Sequence, residues 1–239
     1  MGGGGGVSAP TDGVLKEAWG LYKAHWQHLI SVAGIIFIGV ALVGAVATEI
    51  FEPALGAFVG FVVALLGYFW VQGALVRAVA DIRDGRADLS VVGTLRAAWE
   101  RIGPLASASS LAAVAIVLGL LLFVVPGLVL LTWWVLIVPA VMLENAGVRK
   151  AFGRSRELVR GWGWRVFGVI LLTVLVLVGA SVALELLLSP LADWLQGYAS
   201  DILTGTLTAP FAALAWTLLY YRLRDARVGV SQDVIQEQD

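Results

Sequence analysis

Between residues 149 and 165 the chain carries six basic side chains, Arg149, Lys150, Arg154, Arg156, Arg160 and Arg165, against a single acid, Glu157. Such a cluster suits anionic lipid headgroups or an acidic protein partner, since each basic residue near an anionic surface contributes about 1 kcal/mol. These six are the candidate headgroup or partner contacts. The competing reading is topological: the charges hold their loop on the cytoplasmic side of a membrane.

Other chemistry finds little support. The chain has no cysteine, which removes disulfides and thiolate metal sites. Its two histidines, His25 and His28, lie three residues apart with one nearby carboxylate, Glu17. Hydrolysis needs an activated nucleophile or a metal-bound water, and these residues make only a sparse catalytic pair. P-loop, dinucleotide-glycine and HExxH motifs are missing from the sequence. No catalytic site, metal, cofactor or nucleic-acid partner is expected.

The elements that must position the basic cluster are membrane helices. Of 239 residues, 59% are hydrophobic and 14% charged, against roughly 25% charged in soluble domains. Apolar runs long enough to cross a bilayer follow one another almost without pause. They predict six spans, near Leu29–Ile50, Ala54–Ala80, Leu105–Val125, Leu128–Leu143, Val166–Leu188 and Ile202–Leu223. The runs lack the alternation of barrel strands, so the fold class is an all-α polytopic helix bundle. Pro126-Gly127 is expected to form the turn between the third and fourth spans, with a re-entrant pair as the alternative to two crossings. Pro139 and Pro210 are expected to kink their spans. Residues 1–11 read as a disordered Gly-rich tail, 12–227 as the membrane domain, and 228–239 as a polar C-terminal tail. Ala45-Val46-Ala47 has the form of a cleavage box. The charged leader before it runs past residue 25, too long for a signal peptide, so the first span is expected to stay uncleaved.

All 16 lysines and arginines fall in the segments on one side of the predicted spans or at the span ends that meet them, whereas Glu49, Glu52, Glu185, Asp193 and Asp201 lie on or near the other. Positive charge stays inside, which predicts a plasma (cytoplasmic) membrane protein with both termini cytoplasmic. No charge lies at mid-depth, and Gln72 is the most polar interior residue of the second span. This counts against a proton-coupled transporter.

A unit recurs three times. Leu15-Lys16-Glu17-Ala18-Trp19 matches Leu95-Arg96-Ala97-Ala98-Trp99 and Val148-Arg149-Lys150-Ala151-Phe152. Each match opens an amphipathic segment, near residues 14–28, 89–102 and 147–162. One apolar face carries Leu15, Trp19, Tyr22, Trp26 and Leu29; the next carries Leu89, Val92, Leu95, Trp99 and Ile102; the third carries Val148, Phe152, Ser155, Val159 and Trp162. Each leads into a pair of spans, and the second span of each pair carries Trp70, Trp134 or Trp216 ahead of Asp81, Glu144 or Asp225. The pattern is an interfacial helix followed by a transmembrane hairpin, used three times. Small residues at spacing four, Gly56, Gly60 and Ala64, and Gly205, Ala209 and Ala213, are expected to pack helices within the chain.

Pro126-Gly127, Pro139, Glu144, Gly147, Ala151, Arg154-Ser155, Leu158-Val159, Gly161 and Trp164-Arg165, with Ala18-Trp19-Gly20-Leu21-Tyr22 and Tyr220-Tyr221-Arg222-Leu223-Arg224, form a pattern. It resembles the membrane domain attached to some glycerophosphoryl diester phosphodiesterases and found alone in many bacterial membrane proteins. The resemblance implies that diesterase activity would belong to a separate soluble domain, which these residues do not contain. The leading expectation is a non-catalytic membrane module that binds lipid headgroups or a partner through its inner face. The alternatives are a transporter or lipid translocator, and a membrane-embedded lipid phosphodiesterase.

Overall fold

The computed structural model describes residues 9–85, 90–190 and 193–236, and for 193–198 and 229–236 the backbone alone. Most of the expected Gly-rich tail, Leu89 and the side chain of Trp194 lie outside the described residues. In chain order the helices are α1 (Val14–Ile50), α2 (Pro53–Arg83), α3 (Val91–Trp99), α4 (Ile102–Leu122), α5 (Val124–Trp134), α6 (Ile137–Leu143), α7 (Val148–Val159), α8 (Gly163–Leu188) and α9 (Asp193–Gln236). Among the described residues there is no strand. Six stretches are long and apolar enough to cross a membrane: α1, α2, α4, the α5–α6 pair, α8 and Ala199–Val228 of α9. The protein is an all-α polytopic membrane bundle.

The helix ends follow local chemistry, with two departures from expectation. The first interfacial segment is set off from its span by a kink within α1 at His25, whose φ of −122° and ψ of 20° are not helical. The turn between the third and fourth spans falls at Phe123 (φ −154°, ψ 131°), not at Pro126-Gly127. Pro126 sits instead in the first turn of α5, where amide donors lack helical partners and proline is tolerated. Gly127 is needed for the close approach of the hairpin arms, because a Cβ there would stand 2.6 Å from the Leu120 backbone nitrogen. Moving the turn lengthens the fourth span to Val124–Leu143, 20 residues, about 30 Å at 1.5 Å per residue. The second departure is in length: α9, with Pro210 inside it, runs beyond the predicted span end at Leu223 to Gln236.

Pro139 acts as expected. It has no amide hydrogen for the Val135 carbonyl one turn earlier, and the helix breaks there, α5 ending at Trp134 and α6 starting at Ile137. In lipid a broken helix needs outside partners for its backbone. Ser155 of α7 supplies them. The Leu136 N–H donates to Ser155 Oγ at 3.2 Å, and that hydroxyl donates to the Trp133 carbonyl at 2.7 Å.

Packing is uneven along the bundle axis. Fully buried side chains such as Leu29, Leu75, Leu105, Met142, Leu219 and Leu223 lie in the halves of the helices nearer the basic end. Toward the acidic end Leu42, Ile50, Phe58, Phe61, Leu122, Phe123 and Leu187 are exposed, as helices facing lipid tails can be. The bundle is tight at the basic end and splayed at the acidic end.

The threefold pattern is realised as a ring. Ala18, Ala98 and Ala151, equivalent in the three matches, are each completely buried. The aromatic residue following each alanine packs on the second span of another unit. Trp99 of α3 meets Trp70 of α2 at 5.0 Å, Phe152 of α7 meets Trp134 of α5 at 4.9 Å, and Trp19 of α1 meets Phe211 of α9 at 6.3 Å. Each unit's interfacial helix thus seats on the unit before it, and the first seats on the last. The Trp70 indole N–H to Leu95 carbonyl bond (2.9 Å) and the Tyr22 hydroxyl to Leu207 carbonyl bond (3.0 Å) fix two of these seats. Of the small-residue stripes, Gly56 and Gly205 make close contacts within the chain, whereas Ala64 is exposed. A Cβ at Gly56 would meet the Ala47 carbonyl oxygen at 2.9 Å, and one at Gly205 would meet the Phe37 ring at 2.6 Å.

Ser155→Ala leaves two buried backbone groups without partners, at about 1–3 kcal/mol for each unsatisfied group. The unfolding temperature, followed by tryptophan fluorescence, is expected to fall by about 2–4 °C per kcal/mol. Ser107→Ala, whose exposed hydroxyl bonds only its own helix at Gly103, is expected to leave it unchanged.

Candidate functional site: the α5–α7–α8 corner

Helix α7 is amphipathic for a simple reason. Ala151, Ser155, Leu158 and Val159 are buried on one face, while Arg149, Lys150, Arg156, Glu157 and Arg160 are exposed on the other. The chain enters it through Asn145, in the left-handed region at φ 51°, and leaves through Gly161 at φ 88°. Two helices later, Arg227 of α9 reaches back and donates to the Glu157 carbonyl at 2.8 Å and to the Arg160 carbonyl, satisfying the C-terminal end of α7. Arg101 does the same for the end of α6, donating to the Val141 and Ala146 carbonyls at 3.4 and 3.3 Å.

The six basic candidates separate by environment. Arg154 is committed to structure: its guanidinium donates to Glu144 Oε1 at 2.7 Å and to Glu157 Oε2 at 3.2 Å. The Tyr220 hydroxyl of α9 donates to the same Glu144 oxygen at 2.5 Å. This cluster ties the ends of α6, α7 and α9 together. Burial pushes the Glu144 carboxyl up, but the hydrogen bonds from Tyr220 and Arg154 and the charges of Arg154 and Lys150 outweigh it and hold the group below its usual value. For Arg154, burial works against the charged form, and Glu144 and Glu157 more than compensate. Arg149 and Lys150 stand exposed in the first turn of α7. Arg165 lies over the Trp162 ring at 5.2 Å.

Arg156 and Arg160 line a recess. Arg156 stacks over the Trp133 ring at 4.2 Å. The recess, about 640 Å³, is walled also by Gly153, Glu157, Gly161 and Gly163. Beside it runs an apolar groove of about 340 Å³ between α5 and α8, walled by Val125, Leu128, Val129, Trp164 and Phe167. Trp133 and Gly163 belong to both walls, so a polar mouth passes directly into an apolar slot. Helix α8 begins at Gly163 with no side-chain cap, and its first amide groups, with the positive end of the helix dipole, add to the field of the arginines.

The sequence indicated the arginines but not their division of labour, nor Trp133 and Phe167. The signal available was Gly161-Trp162-Gly163, two glycines flanking a tryptophan at the end of a basic helix. His25 and His28 gain no catalytic partner from Glu17, whose carboxylate is held by Arg222. Among the described residues no group of three or more His, Cys, Asp or Glu is placed to hold a metal ion.

The Glu144 carboxyl sits below its ordinary value of 4.5. Its stabilisation is therefore full above that value and is lost as pH falls through the folded pKa. The unfolding temperature of the protein is expected to drop as pH falls below about 4.5. Glu144→Gln is expected to lower it at neutral pH and to shrink the difference between neutral and acid values.

Comparison of the chain with protein-family models, with curated proteins and with solved structures returns no match.

Proposed function

We propose that this protein is a membrane module that holds an anionic lipid by its headgroup at the α5–α7–α8 corner, facing the cytoplasm. The observation that carries the reading is the joining of the arginine-lined recess to the apolar groove through the shared residues Trp133 and Gly163. A lipid needs both: cationic groups for the phosphate and an apolar slot for an acyl chain. An acidic protein segment would meet the same arginines but has no use for the groove. Depth fits as well. The groove follows α5 from Trp133 back to Val125, about 12 Å at 1.5 Å per residue, away from the basic end and into the hydrocarbon.

Orientation follows from the positive-inside rule: the basic end faces the cytoplasm, with the recess at the level of the inner-leaflet headgroups. The residues that build the corner, Arg154-Ser155, Gly161 and Trp164-Arg165 among them, carry the resemblance to the phosphodiesterase-associated membrane domain, and kinship with that family forms part of the proposal.

Titration with phosphatidylglycerol, read by native mass spectrometry, tests the reading. Arg156→Gln with Arg160→Gln is expected to weaken retention by about 30-fold, from about 1 kcal/mol for each charge. Arg149→Gln with Lys150→Gln removes the same charge from an exposed turn outside the recess and is expected to change retention far less. Equal losses in the two double variants would assign the effect to general surface charge, and no loss in the first would end the proposal.

A further inference from the structure

Along α2, residues Gly56, Gly60, Ala64, Tyr68, Gln72 and Val76 recur at spacing four and so form a stripe that winds slowly around the helix, about 40° per step. That stripe borders two cavities in succession. The first, about 470 Å³, lies between α1, α2 and α9 with Asp201 and Thr48 on its wall, and runs along the stripe from Gly56 to Tyr68. The second, about 230 Å³, runs from Tyr68 to Val76 and is closed by α4, the α5–α6 break and α9. Tyr68 belongs to both walls, is half exposed, and stands one helical turn from Gln72.

Two polar side chains face the deeper cavity. Gln72 is nearly buried, at 8% exposure, on its wall. Ser109 is on the wall too, and its hydroxyl is buried with no partner, as are those of Ser200, Thr206 and Thr217 of α9. Ser31, Ser107, Thr132, Thr173, Ser181 and Thr208 instead bond the carbonyl four residues before them. Val135, whose carbonyl Pro139 cannot serve, is a further wall residue. Trp134 and Trp216 add ring faces, and no charged side chain is present on this wall. Toward the basic end Leu75, Val79, Leu105, Met142 and Leu219 are buried and close the path. Toward the acidic end the wall residues Tyr68 and Ala113 are exposed.

We propose that α2 lines a one-sided path from the acidic end to a mid-membrane site at Tyr68, Gln72 and Ser109, which takes a small uncharged solute bearing hydroxyl or amide groups. The absence of charge on the wall disfavours ions, which are costly to place there unpaired. At about 30 Å³ for each water in the liquid, the deeper cavity has room for several waters or one compact polyol. The site is separate from the lipid corner and stands or falls without it.

The chain has no cysteine, so a single thiol can be placed on the wall. Ala112→Cys, in the protein reconstituted in vesicles, is exposed to the uncharged reagent 2-hydroxyethyl methanethiosulfonate from each side in turn, with an impermeant thiol on the opposite side to quench any reagent that crosses. Labelling is expected from the acidic-end side only, and faster than at Leu111→Cys, a lipid-facing neighbour that is 60% exposed. Glycerol as the probe solute is expected to slow labelling, and Gln72→Leu to weaken that protection by about 2- to 10-fold, the worth of one hydrogen bond. Labelling no faster than at Leu111→Cys, or equal from both sides, would overturn the path. Labelling untouched by glycerol would overturn the solute site.

Discussion

Ser155 of α7 closing the break in the fourth span is the interaction on which the rest of the structure depends. Proline at 139 removes one backbone donor inside a segment that must cross lipid, and lipid offers no water in exchange. A single hydroxyl takes up both the Leu136 amide and the Trp133 carbonyl. An isolated serine could not do this; it has to arrive on a helix seated against the break. The Glu144–Arg154–Tyr220 cluster and the Phe152–Trp134 contact provide that seat. The amphipathic helix is therefore more than a surface feature, because its buried face supplies partners to two backbone groups at the break of a membrane span.

The same logic, in weaker form, recurs around the ring. Each interfacial helix buries an alanine and presents an aromatic ring to a span of another unit. Alanine permits close approach, and the ring adds area and a directed edge. Because α1 returns to α9, these contacts close on themselves at the basic end. Among the described residues nothing comparable joins the acidic ends, where the described loops are short and the helices are exposed. Tight packing at one end and splaying at the other follow from where the repeated unit keeps its interfacial helix. The cavities open on the side that the ring does not close.

Six spans were legible because hydropathy over twenty residues is a property of sequence alone, and the ring was foreshadowed by three short matches. Other features needed tertiary facts. Pro126-Gly127 reads as a turn by local preference, yet the chain turns at Phe123, where Gly119 and Gly127 must pass each other closely. The arginines of α7 look equivalent in sequence. Only the position of Glu144, ten residues away in the chain and 2.7 Å away in space, withdraws Arg154 from the accessible set. Ser155 could be placed on the apolar face by its spacing, but not against a backbone break nineteen residues earlier. The stripe Gly56, Gly60, Ala64 was readable as a close-packing face. Gly56 does pack closely on α1, whereas at Gly60 a Cβ would meet its nearest neighbour only at 4.0 Å, and the stripe goes on to line a cleft.

Trp133 and Trp134 show how one local event organises two regions. They are consecutive at the end of α5, so their side chains leave the helix about 100° apart. Trp133 forms part of the arginine recess and the apolar groove, and Trp134 part of the mid-membrane cavity. The break immediately follows them, and Ser155 holds the Trp133 carbonyl. A shift of α5 at that break moves both rings together, because they share one rigid turn of helix. The arginine recess at the basic end and the mid-membrane cavity are thus built on two neighbouring residues, and the serine bonded at the break holds the turn that carries both.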